Sequence, residues 1–342
     1  MLISIRNFFA ERKKIKQELP SAWVIPMFPK MSSWRLNRFT LLFICLLTGE
    51  RVIIARNVLA AHIALALRKW GIVKKVCYDG RGAMTAEWNE YKVVPSIDIS
   101  RDIVQLEADA VIKSNFRIAV SNHLVIYWKN TFNYADQNHV VIPCTLNSGF
   151  RKLEITTEKI KAARNHLNFA DDECILVYSG STSGWQSFYL ISDFLKQLFS
   201  VSKKYQVVFL SESNKEIEKL ISEFPDLVTQ RWLPHKQVQK VLMACDYGVM
   251  IRENSITNRV ASPTKFAEYL SAGLKILTSD NLGDYTEFVM EHKCGMVVNS
   301  KEAIRLSPLS TADRTENIKL TDAFFTKQAQ MMNYKKLIDN LK

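Results

Sequence analysis

The sequence predicts an α/β protein made of two doubly wound domains that face each other across a cleft. Its 342 residues exceed the usual size of a single domain. Short apolar runs rich in β-branched residues alternate with segments of helical length, and the runs show little polar alternation. Parallel strands that helices cover on both faces have this pattern. A polar, helical stretch between Cys144 and Asp172 interrupts the alternation, and we expect the domain boundary there.

The predicted elements follow this division. We expect an N-terminal domain over residues 1–155, a C-terminal domain over residues 156–320, and a final helix over residues 321–342 that packs back towards the N-terminal domain. Apolar residues at helical spacing predict helices over about residues 35–47 and 58–70. The predicted strands are residues 22–26, 51–56, 75–79, 117–121, 140–143, 175–179, 206–210, 228–232, 247–251, 275–278 and 295–298. The tail is predicted to be helical, and its apolar side to carry Phe324, Phe325, Met331 and Met332.

Composition excludes several classes of protein. Apolar residues make up 47% of the chain and charged residues 23%, which excludes disorder as the main state. No run approaches the roughly 18 apolar residues of a membrane-spanning helix, and basic residues stand where a secretory leader needs an apolar stretch. We therefore expect a cytoplasmic protein. The six cysteines and six histidines show no metal-ligand spacing, so we expect reduced core cysteines and no bound metal.

Basic residues are concentrated at the start of the chain. The formal net charge is +12, and the first 75 residues contain fourteen Lys or Arg against three Glu. A basic, partly apolar face is predicted around Arg35 and Arg38, beside Leu36, Phe39 and Leu42. Such a face is either a solvated surface or a site of attraction for an anionic partner, such as acidic lipid or a phosphate-bearing substrate. No motif for nucleic-acid binding is present, and no nucleic-acid partner is expected.

The strongest local signal is the pattern of a capped helix in the last third of the chain. Ser262 is a good N-cap, Pro263 suits a first helical turn, and Gly273 ends the helix. A helix start offers free N–H groups and a positive dipole end, so together with Lys265 it can bind a phosphate group. Glu268, one turn further on, can accept both hydroxyls of a ribose. The alternative is a capped helix whose Lys265 and Glu268 form an i,i+3 pair.

The segment Ser262-Pro-Thr-Lys-Phe-Ala-Glu-Tyr-Leu-Ser-Ala-Gly273, followed by a strand, closely resembles the nucleotide-sugar helix of retaining GT-B glycosyltransferases of family 4. Other segments fall in the family's order. Residues 176–181 resemble the first strand and phosphate-side turn of the C-terminal domain, and residues 232–246 resemble the stretch in which a loop near the base leads into a helix and the next strand. In the N-terminal half, residues 54–58 and 78–82 with Glu87 also fit. The resemblance covers about residues 20–300.

This resemblance implies two Rossmann-like domains and the transfer of a sugar, with retention, from a nucleotide-sugar donor to a glycan or lipid-linked acceptor. It implies no metal and no cofactor apart from the donor as co-substrate. The pathway that it suggests is bacterial surface polysaccharide biosynthesis. Together with the basic N-terminal region, it suggests a cytoplasmic enzyme bound peripherally to the inner face of the plasma membrane.

The resemblance also implies roles for individual residues. Glu268 is expected to bind the donor ribose, and the helix start is expected to face the diphosphate. Arg252 and Lys265 are candidates for the fixed positive charges that stabilise the leaving diphosphate, and Arg231 is a weaker one. The implied donor-binding residues are Gly180, Ser181, Arg252, Ser262, Pro263, Thr264, Lys265 and Glu268. The implied catalytic residues are Asp79, Arg81, Glu87 and Lys265.

The sequence departs from the family pattern in three respects. Family members often place an Arg and a Lys shortly after the glycine turn near Gly180, where this chain has Gly184-Trp-Gln186 and its next basic residue is Lys196. Many members carry a second glutamate where this chain has Val260, and Glu253 is the nearest acidic residue upstream. The family's first strand and glycine-rich loop have no counterpart before the segments that align. An alternative function is therefore a catalytically degenerate GT-B protein that binds nucleotide sugars or acts as a scaffold.

Two further motifs are weaker. Gly80-Arg-Gly82 half-matches a dinucleotide fingerprint, and Gly180 to Gly184 has the spacing of a hydrolase nucleophile elbow with Thr182 at its centre. Neither has the residues that would complete its motif.

Overall fold

The computed structural model describes residues 2–4, 8–29, 31–92, 97–147, 150, 154–298 and 304–342. The chain begins with β1 (Leu2–Ser4), α1 (Phe8–Glu18) and β2 (Ile25–Met27). β1 and β2 pair in parallel in a two-stranded sheet of their own. The strand predicted over residues 22–26 is therefore observed as β2, but outside the main sheets.

The N-terminal domain continues with α2 (Asn37–Thr48), β3 (Val52–Arg56), α3 (Val58–Lys69), β4 (Lys75–Gly80), α4 (Met84–Tyr91), α5 (Ile97–Lys113), β5 (Phe116–Ala119), α6 (Asn122–Phe132) and β6 (His139–Val141). The strands pair in parallel in the order β3-β4-β5-β6. β4 and β5 are buried, whereas β3 leaves Val52 and Ile54 36% and 53% exposed. The expectation of strands buried on both faces is therefore wrong for β3, because no described strand pairs with its outer edge.

The C-terminal domain contains α7 (Thr157–His166), β7 (Cys174–Ser179), α8 (Phe188–Val201), β8 (Tyr205–Leu210), α9 (Lys215–Glu223), β9 (Val228–Gln230), α10 (His235–Ala244), β10 (Tyr247–Met250), α11 (Ile256–Val260), α12 (Thr264–Ser271), β11 (Lys275–Thr278), α13 (Asp284–His292) and β12 (Gly295–Val297). Its six strands are parallel, in the order β12-β11-β10-β7-β8-β9. The strand order reverses between β7 and β10. Open α/β sheets bind ligands at the carboxyl ends of their strands at such a point.

The end of the chain crosses back to the N-terminal domain. It forms α14 (Thr311–Phe324), which packs on α12, and α15 (Met331–Leu341), which packs on β5 and β6. Leu337 and Leu341 are buried against the N-terminal sheet. Met331 and Met332 are 51% and 75% exposed, so the predicted apolar side of the tail is wrong for these two residues. The reason is that α15 turns the face with Leu337 and Leu341 towards the sheet.

A buried ionic cluster joins three elements of the C-terminal domain. Asp246 precedes β10 and is fully buried; its two carboxylate oxygens lie 2.6 Å from Arg164 Nη2 of α7 and 2.8 Å from Arg314 Nη2 of α14. The same carboxylate accepts the backbone N–H groups of Ile175 and Leu309, both at 2.9 Å. Four donors therefore compensate the buried charge.

None of the helices in the part of the chain described above is both long enough and apolar enough to cross a membrane.

Candidate functional site

The candidate site lies where the strand order of the C-terminal sheet reverses. β7 leads into Gly180, and β10 leads into Ile251 and Arg252. Gly180 has a φ of +131°, and a Cβ atom there would lie 3.3 Å from Lys265 Nζ. A side chain at this position would therefore be strained and would crowd the lysine, so glycine suits the turn.

Helix α12 supplies the side of the site that the sequence indicated most strongly. It begins at Thr264 with Pro263 as its N-cap, and no side chain caps its first turn. The prediction that Ser262 is the N-cap is wrong. The Ser262 hydroxyl instead accepts a hydrogen bond from the Cys144 N–H at 2.8 Å and forms another with the Tyr285 hydroxyl. The first-turn N–H groups of α12 thus have no side-chain acceptor, and Thr264 is exposed beside them.

Two buried cations meet at one neutral oxygen in this site. Lys265 and Arg252 are only 8% and 5% exposed. The Gln186 side-chain oxygen accepts a hydrogen bond from Lys265 Nζ at 3.0 Å and another from Arg252 Nη2 at 3.1 Å. Arg252 Nη1 also donates to Asn258 Oδ1 at 3.4 Å, and Arg252 Nε has no hydrogen-bond partner among the described residues. The acceptors that hold these two cations are therefore amide oxygens.

The positive charges of Lys265 and Arg252 repel each other, and burial removes the water that would stabilise them. Burial and the nearby charge of Arg252 lower the pKa of Lys265 well below its ordinary value, and the Glu268 carboxylate acts in the opposite direction. Burial lowers the pKa of Arg252. Lys265 Nζ also lies 3.9 Å from the centre of the Tyr178 ring, where a cation–π contact partly replaces its hydration. Two desolvated positive groups that share one neutral acceptor favour the binding of an anion.

The packing beneath the site fixes α12. Glu268 is buried on this helix, and its carboxylate contributes to the field at Lys265. The next residue, Tyr269, accepts the N–H of Ser179 at 2.7 Å through its hydroxyl. A Cβ atom on Gly248 would lie 2.1 Å from the Tyr269 ring, so only glycine lets β10 approach the helix this closely.

A pocket of about 530 Å³ opens beside Gly180 at the carboxyl ends of β7, β8 and β9. Trp232, which is 69% exposed, forms one wall together with Leu233. Ser211 and Glu212 supply polar groups to the same lining. An exposed indole beside hydrogen-bonding groups can stack on a flat heterocyclic base and read its edge. The pocket's further lining residues are Ser179, Ser181, Thr182, Ser183, Leu210 and Val238.

The N-terminal domain contributes a second group of sequence-predicted residues. Asp79 ends β4, and its carboxylate lies 2.9 Å from Arg81 Nε and 3.0 Å from Arg81 Nη2. Burial lowers the pKa of Arg81, while Asp79 and the Cys144 thiol raise it, with a net upward effect. Because the Cys144 backbone bonds to Ser262, Arg81 lies close to the segment that precedes α12. Burial raises the pKa of Glu87 on α4, whose carboxylate makes no hydrogen bond or ion pair within the described residues.

The two domains touch next to the buried cations. Tyr91 at the end of α4 donates its hydroxyl to Glu253 Oε1 at 2.6 Å and accepts the Asn258 amide at 3.3 Å. Its ring packs edge-on against Trp185, whose neighbour is Gln186. Glu253 also accepts the Tyr189 hydroxyl at 2.9 Å. Glu253 is thus engaged in the domain contact.

The sequence analysis missed several residues of this arrangement. Gln186 and Asn258 accept hydrogen bonds from the cations, and no local motif marks them as site residues. Tyr178 and Trp232 lie in segments that resemble the family, but the sequence analysis gave neither side chain a role. The order of strands could have indicated them, because residues that follow β7, β9 and β10 must meet at one edge of the sheet. Arg231, the weaker candidate for the diphosphate, lines a separate groove.

Within the described residues, no group of three or more His, Cys, Asp or Glu side chains is arranged to hold a metal ion.

The chain was compared with known proteins. No protein-family model matches it, and its sequence matches no curated protein. Solved structures do match. The sucrose-phosphate synthase from Thermosynechococcus elongatus has a TM-score of 0.69 at 14% identity, with 94% of this chain and 84% of that chain covered. HepE from Anabaena in complex with UDP has a TM-score of 0.70 at 12% identity, covering 96% and 89%.

A glycosyltransferase from Rickettsia africae is also similar, with a TM-score of 0.60 at 13% identity and with 97% of this chain and 83% of that chain covered. At such identities the similarity establishes the fold. This chain therefore has the two-domain GT-B fold, with two parallel-sheet, Rossmann-like domains.

Proposed function

We propose that the chain is a glycosyltransferase that moves a sugar from a nucleotide-diphosphate donor to a glycan or lipid-linked acceptor, as the retaining enzymes of family 4 do. The observation that carries the proposal is the buried pair Arg252 and Lys265, held by the neutral Gln186 at the strand switch point. A diphosphate supplies the negative charge that such a pair attracts. The GT-B fold, and the UDP bound by the structurally similar HepE, support a nucleotide-sugar donor.

Each part of the donor has a counterpart in the proposed site. The diphosphate faces Lys265, Arg252 and the first-turn N–H groups of α12, which begin at Thr264 after Pro263 and have no side-chain cap. The ribose lies at Glu268, and the base enters the pocket beside Gly180 and Ser181 to stack on Trp232.

The proposed reaction breaks the bond between the anomeric carbon and the diphosphate and forms one to an acceptor hydroxyl, which loses its proton. Negative charge grows on the departing diphosphate, and the two cations stabilise it without a metal ion. We assign Asp79, Arg81 and Glu87 to the side of the cleft that faces the reacting sugar. Glu87 suits a hydrogen bond to a sugar hydroxyl, because burial raises its pKa and no described side chain engages its carboxylate.

Donor binding tests the proposal directly. Calorimetry with UDP, GDP and their common sugar conjugates should detect binding by the wild-type protein. Glu268→Ala should weaken it by about 1–3 kcal/mol, the scale of losing hydrogen bonds to a charged group. The exposed Glu291→Ala on α13 is the control and should bind as the wild type does. An absence of binding by folded wild-type protein would rule out the transferase.

A turnover assay distinguishes the transferase from the alternative, which is a degenerate protein that binds nucleotide sugars or acts as a scaffold. Val260 stands where many family members have a glutamate, and Glu253 is held by two tyrosine hydroxyls. Release of nucleoside diphosphate in the presence of an acceptor extract, lost in Lys265→Met, is the expected result. Tight donor binding with no release under any condition would favour the degenerate protein.

We further propose that the enzyme works at the cytoplasmic face of a bacterial membrane, in surface polysaccharide biosynthesis. Helix α2 exposes an apolar stripe at helical spacing, in which Phe39, Phe43 and Leu47 are 52%, 63% and 68% exposed. Arg38 lies over the rings of Phe39 and Trp70 at the edge of this stripe. Exposed apolar side chains flanked by basic residues suit an anionic bilayer, to which each basic residue contributes about 1 kcal/mol.

Sedimentation with vesicles of phosphatidylglycerol and phosphatidylcholine tests this surface. We expect binding at low salt that weakens at high salt, and a loss of binding in Phe43→Ser/Leu47→Ser. The control, Met290→Ser/Met332→Ser, removes two apolar side chains of similar exposure elsewhere. Failure of the wild-type protein to sediment at low salt would remove the membrane from the proposal.

A further inference from the structure

A second cavity, which the proposed reaction does not use, lies between α7 and α10. Its volume is about 670 Å³, large enough for a ligand of nucleotide size. Lys159 and His166 border it on α7, Lys240 borders it on α10, and Arg231 borders it from the loop after β9. We call this cavity the α7–α10 groove.

Every ionisable side chain that lines the groove is basic. The surrounding sequence has no such excess of basic residues, because residues 76–342 contain 32 Lys or Arg and 31 Asp or Glu. Arg231 and Lys240 form no ion pair with any described acid. Among the residues that the structure describes, Lys159 pairs with Glu154, and both side chains are largely exposed. Arg231 and Lys240 therefore give the groove uncompensated positive charge, which an anionic group would neutralise.

The floor of the groove is apolar. Ala162 and Ala163 line it on α7, and their small side chains leave the space between the helices open. Leu167 and Val241 are buried beneath them. A ligand that fills the groove must therefore combine an anionic group with a flat or aliphatic body.

The groove adjoins the donor pocket through one short loop. Leu233 lines both cavities, so it forms a common wall. In the same loop, Arg231 lines the groove and Trp232 lines the donor pocket. A ligand held by Arg231 thus contacts the segment that carries the proposed base-stacking side chain.

We propose that the α7–α10 groove is a second binding site, which takes a small, soluble phosphate ester with an apolar body, and that its occupancy changes donor affinity through the loop of Arg231, Trp232 and Leu233. The existence of this second site does not depend on the proposed transferase activity. Only the change in donor affinity rests on that proposed function. A ligand couples two sites when it binds one arrangement of such a loop better than another.

Ligand-observed saturation-transfer NMR with phenyl phosphate, on the full chain, tests the site. We expect Arg231→Gln/Lys240→Gln to raise the dissociation constant at least fivefold. The control, Arg305→Gln/Lys219→Gln, removes the same charge from exposed positions of the same domain. Ala163→Phe should also weaken binding, because the ring fills the groove without changing charge. Lys265→Met should leave it unchanged, which separates the groove from the donor site.

Several results would overturn the proposal. Equal binding by the wild type and the Arg231→Gln/Lys240→Gln variant would remove the site, as would loss of binding in Lys265→Met alone. Binding of phosphatidic acid vesicles through these residues, without binding of phenyl phosphate, would overturn the assignment to a soluble ester. An unchanged UDP affinity at saturating phenyl phosphate would remove the coupling, whereas a change absent from the Arg231→Gln/Lys240→Gln variant would establish it.

Discussion

Gln186 holds together two cations whose charges repel each other. Its side-chain oxygen accepts from both Lys265 and Arg252, and Gln186 is itself only 5% exposed. A neutral amide satisfies their donors without cancelling their charge, which leaves the charge available for an anionic ligand. A carboxylate at this position would instead supply the missing negative charge from within the protein.

Replacement of Gln186 by Glu therefore provides a test at a single atom. We expect Gln186→Glu to raise the thermal midpoint of the ligand-free protein, because it compensates two buried cations. The same change should weaken UDP binding at least tenfold, because the carboxylate neutralises the positive charge that attracts the diphosphate. Calorimetry and thermal unfolding of the same preparation measure both effects.

Gln186→Met is the matched control, since it removes the acceptor and adds no charge. It should lower the thermal midpoint and weaken UDP binding less than Gln186→Glu does. If Gln186→Glu bound UDP as tightly as the wild type, the two cations would not be the diphosphate site.

The depressed pKa of Lys265 predicts a pH effect on donor binding. A diphosphate raises this pKa, so above the ligand-free pKa binding must take up a proton. UDP affinity should therefore fall as the pH rises from the ligand-free pKa of Lys265 towards the ordinary range of a lysine, with proton uptake visible in buffers of different ionisation enthalpy. Lys265→Arg keeps its charge over this range and should show a flatter profile. A wild-type affinity independent of pH would show that Lys265 stays charged without the ligand.

At the scale of elements, the ionic cluster of Asp246 fixes the base of the site. β10 carries Arg252 at one end, and Asp246 stands at the other, tied to α7 and α14 by Arg164 and Arg314. Removal of the carboxylate would leave two buried guanidinium groups without a counter-charge. The position of β10, and hence of Arg252, depends on this cluster.

We expect Asp246→Asn to destabilise the C-terminal domain by about 3–5 kcal/mol, the usual cost of removing one partner from a buried ion pair. Urea unfolding followed by fluorescence measures the change. Asp172→Asn removes a carboxylate from an exposed pair with Lys204 and should leave the midpoint unchanged. Equal effects of the two substitutions would contradict a structural role for the buried cluster.

The sequence predicted elements well where the signal is local. The strands of the C-terminal sheet and helix α12 follow from apolar runs, Pro263 and Gly273, which act within a few residues. The exposure of β3 was not predictable, because it depends on whether another strand pairs with its edge. The prediction of an N-cap at Ser262 was wrong for a similar reason, because the Ser262 hydroxyl bonds to Cys144 and Tyr285, which are distant in sequence.

The candidate site shows the same division. Lys265 and Glu268 were indicated by the pattern of their helix, whereas Arg252 was a candidate only through the family resemblance. Gln186 was not, because nothing in a Gly-Trp-Gln turn indicates that two cations from other elements converge on it. Tyr91 was missed because its role arises only when the domains meet.

At the scale of the whole molecule, two carboxylates join the domains by reciprocal helix caps. Glu90 of the N-terminal domain accepts the N–H groups of Ile256 and Thr257, at 2.9 and 3.0 Å, at the start of α11. Asp284 of the C-terminal domain accepts those of Asn122 and His123, at 2.7 and 2.9 Å, at the start of α6. Ser121 and Ser255 are the N-caps of these two helices, and each domain thus supplies further acceptors for first-turn N–H groups of a helix of the other domain.

These caps predict how the relative position of the domains is held. The backbone bonds at Asn122 and His123 lower the pKa of Asp284 despite its burial, so its cap should persist to below pH 3.8. Loss of a cap costs about 0.5–2 kcal/mol, so Glu90→Gln/Asp284→Asn should shift the molecule towards open arrangements. Small-angle X-ray scattering should then give a larger radius of gyration than for the wild type. Far-UV circular dichroism should stay the same, because each domain keeps its own core.

The control is Asp280→Asn/Glu291→Gln, which removes two exposed carboxylates at and near α13. Its scattering should match that of the wild type, since neither side chain forms a hydrogen bond or ion pair with the described residues of the N-terminal domain. Because Tyr91 and Glu90 belong to the same turn of α4, opening at the caps also withdraws Tyr91 from Glu253 and from the turn that carries Gln186. The cap variant should therefore bind UDP more weakly although it keeps every residue of the donor site. An unchanged radius of gyration together with an unchanged UDP affinity would show that the caps hold neither the domains nor the site.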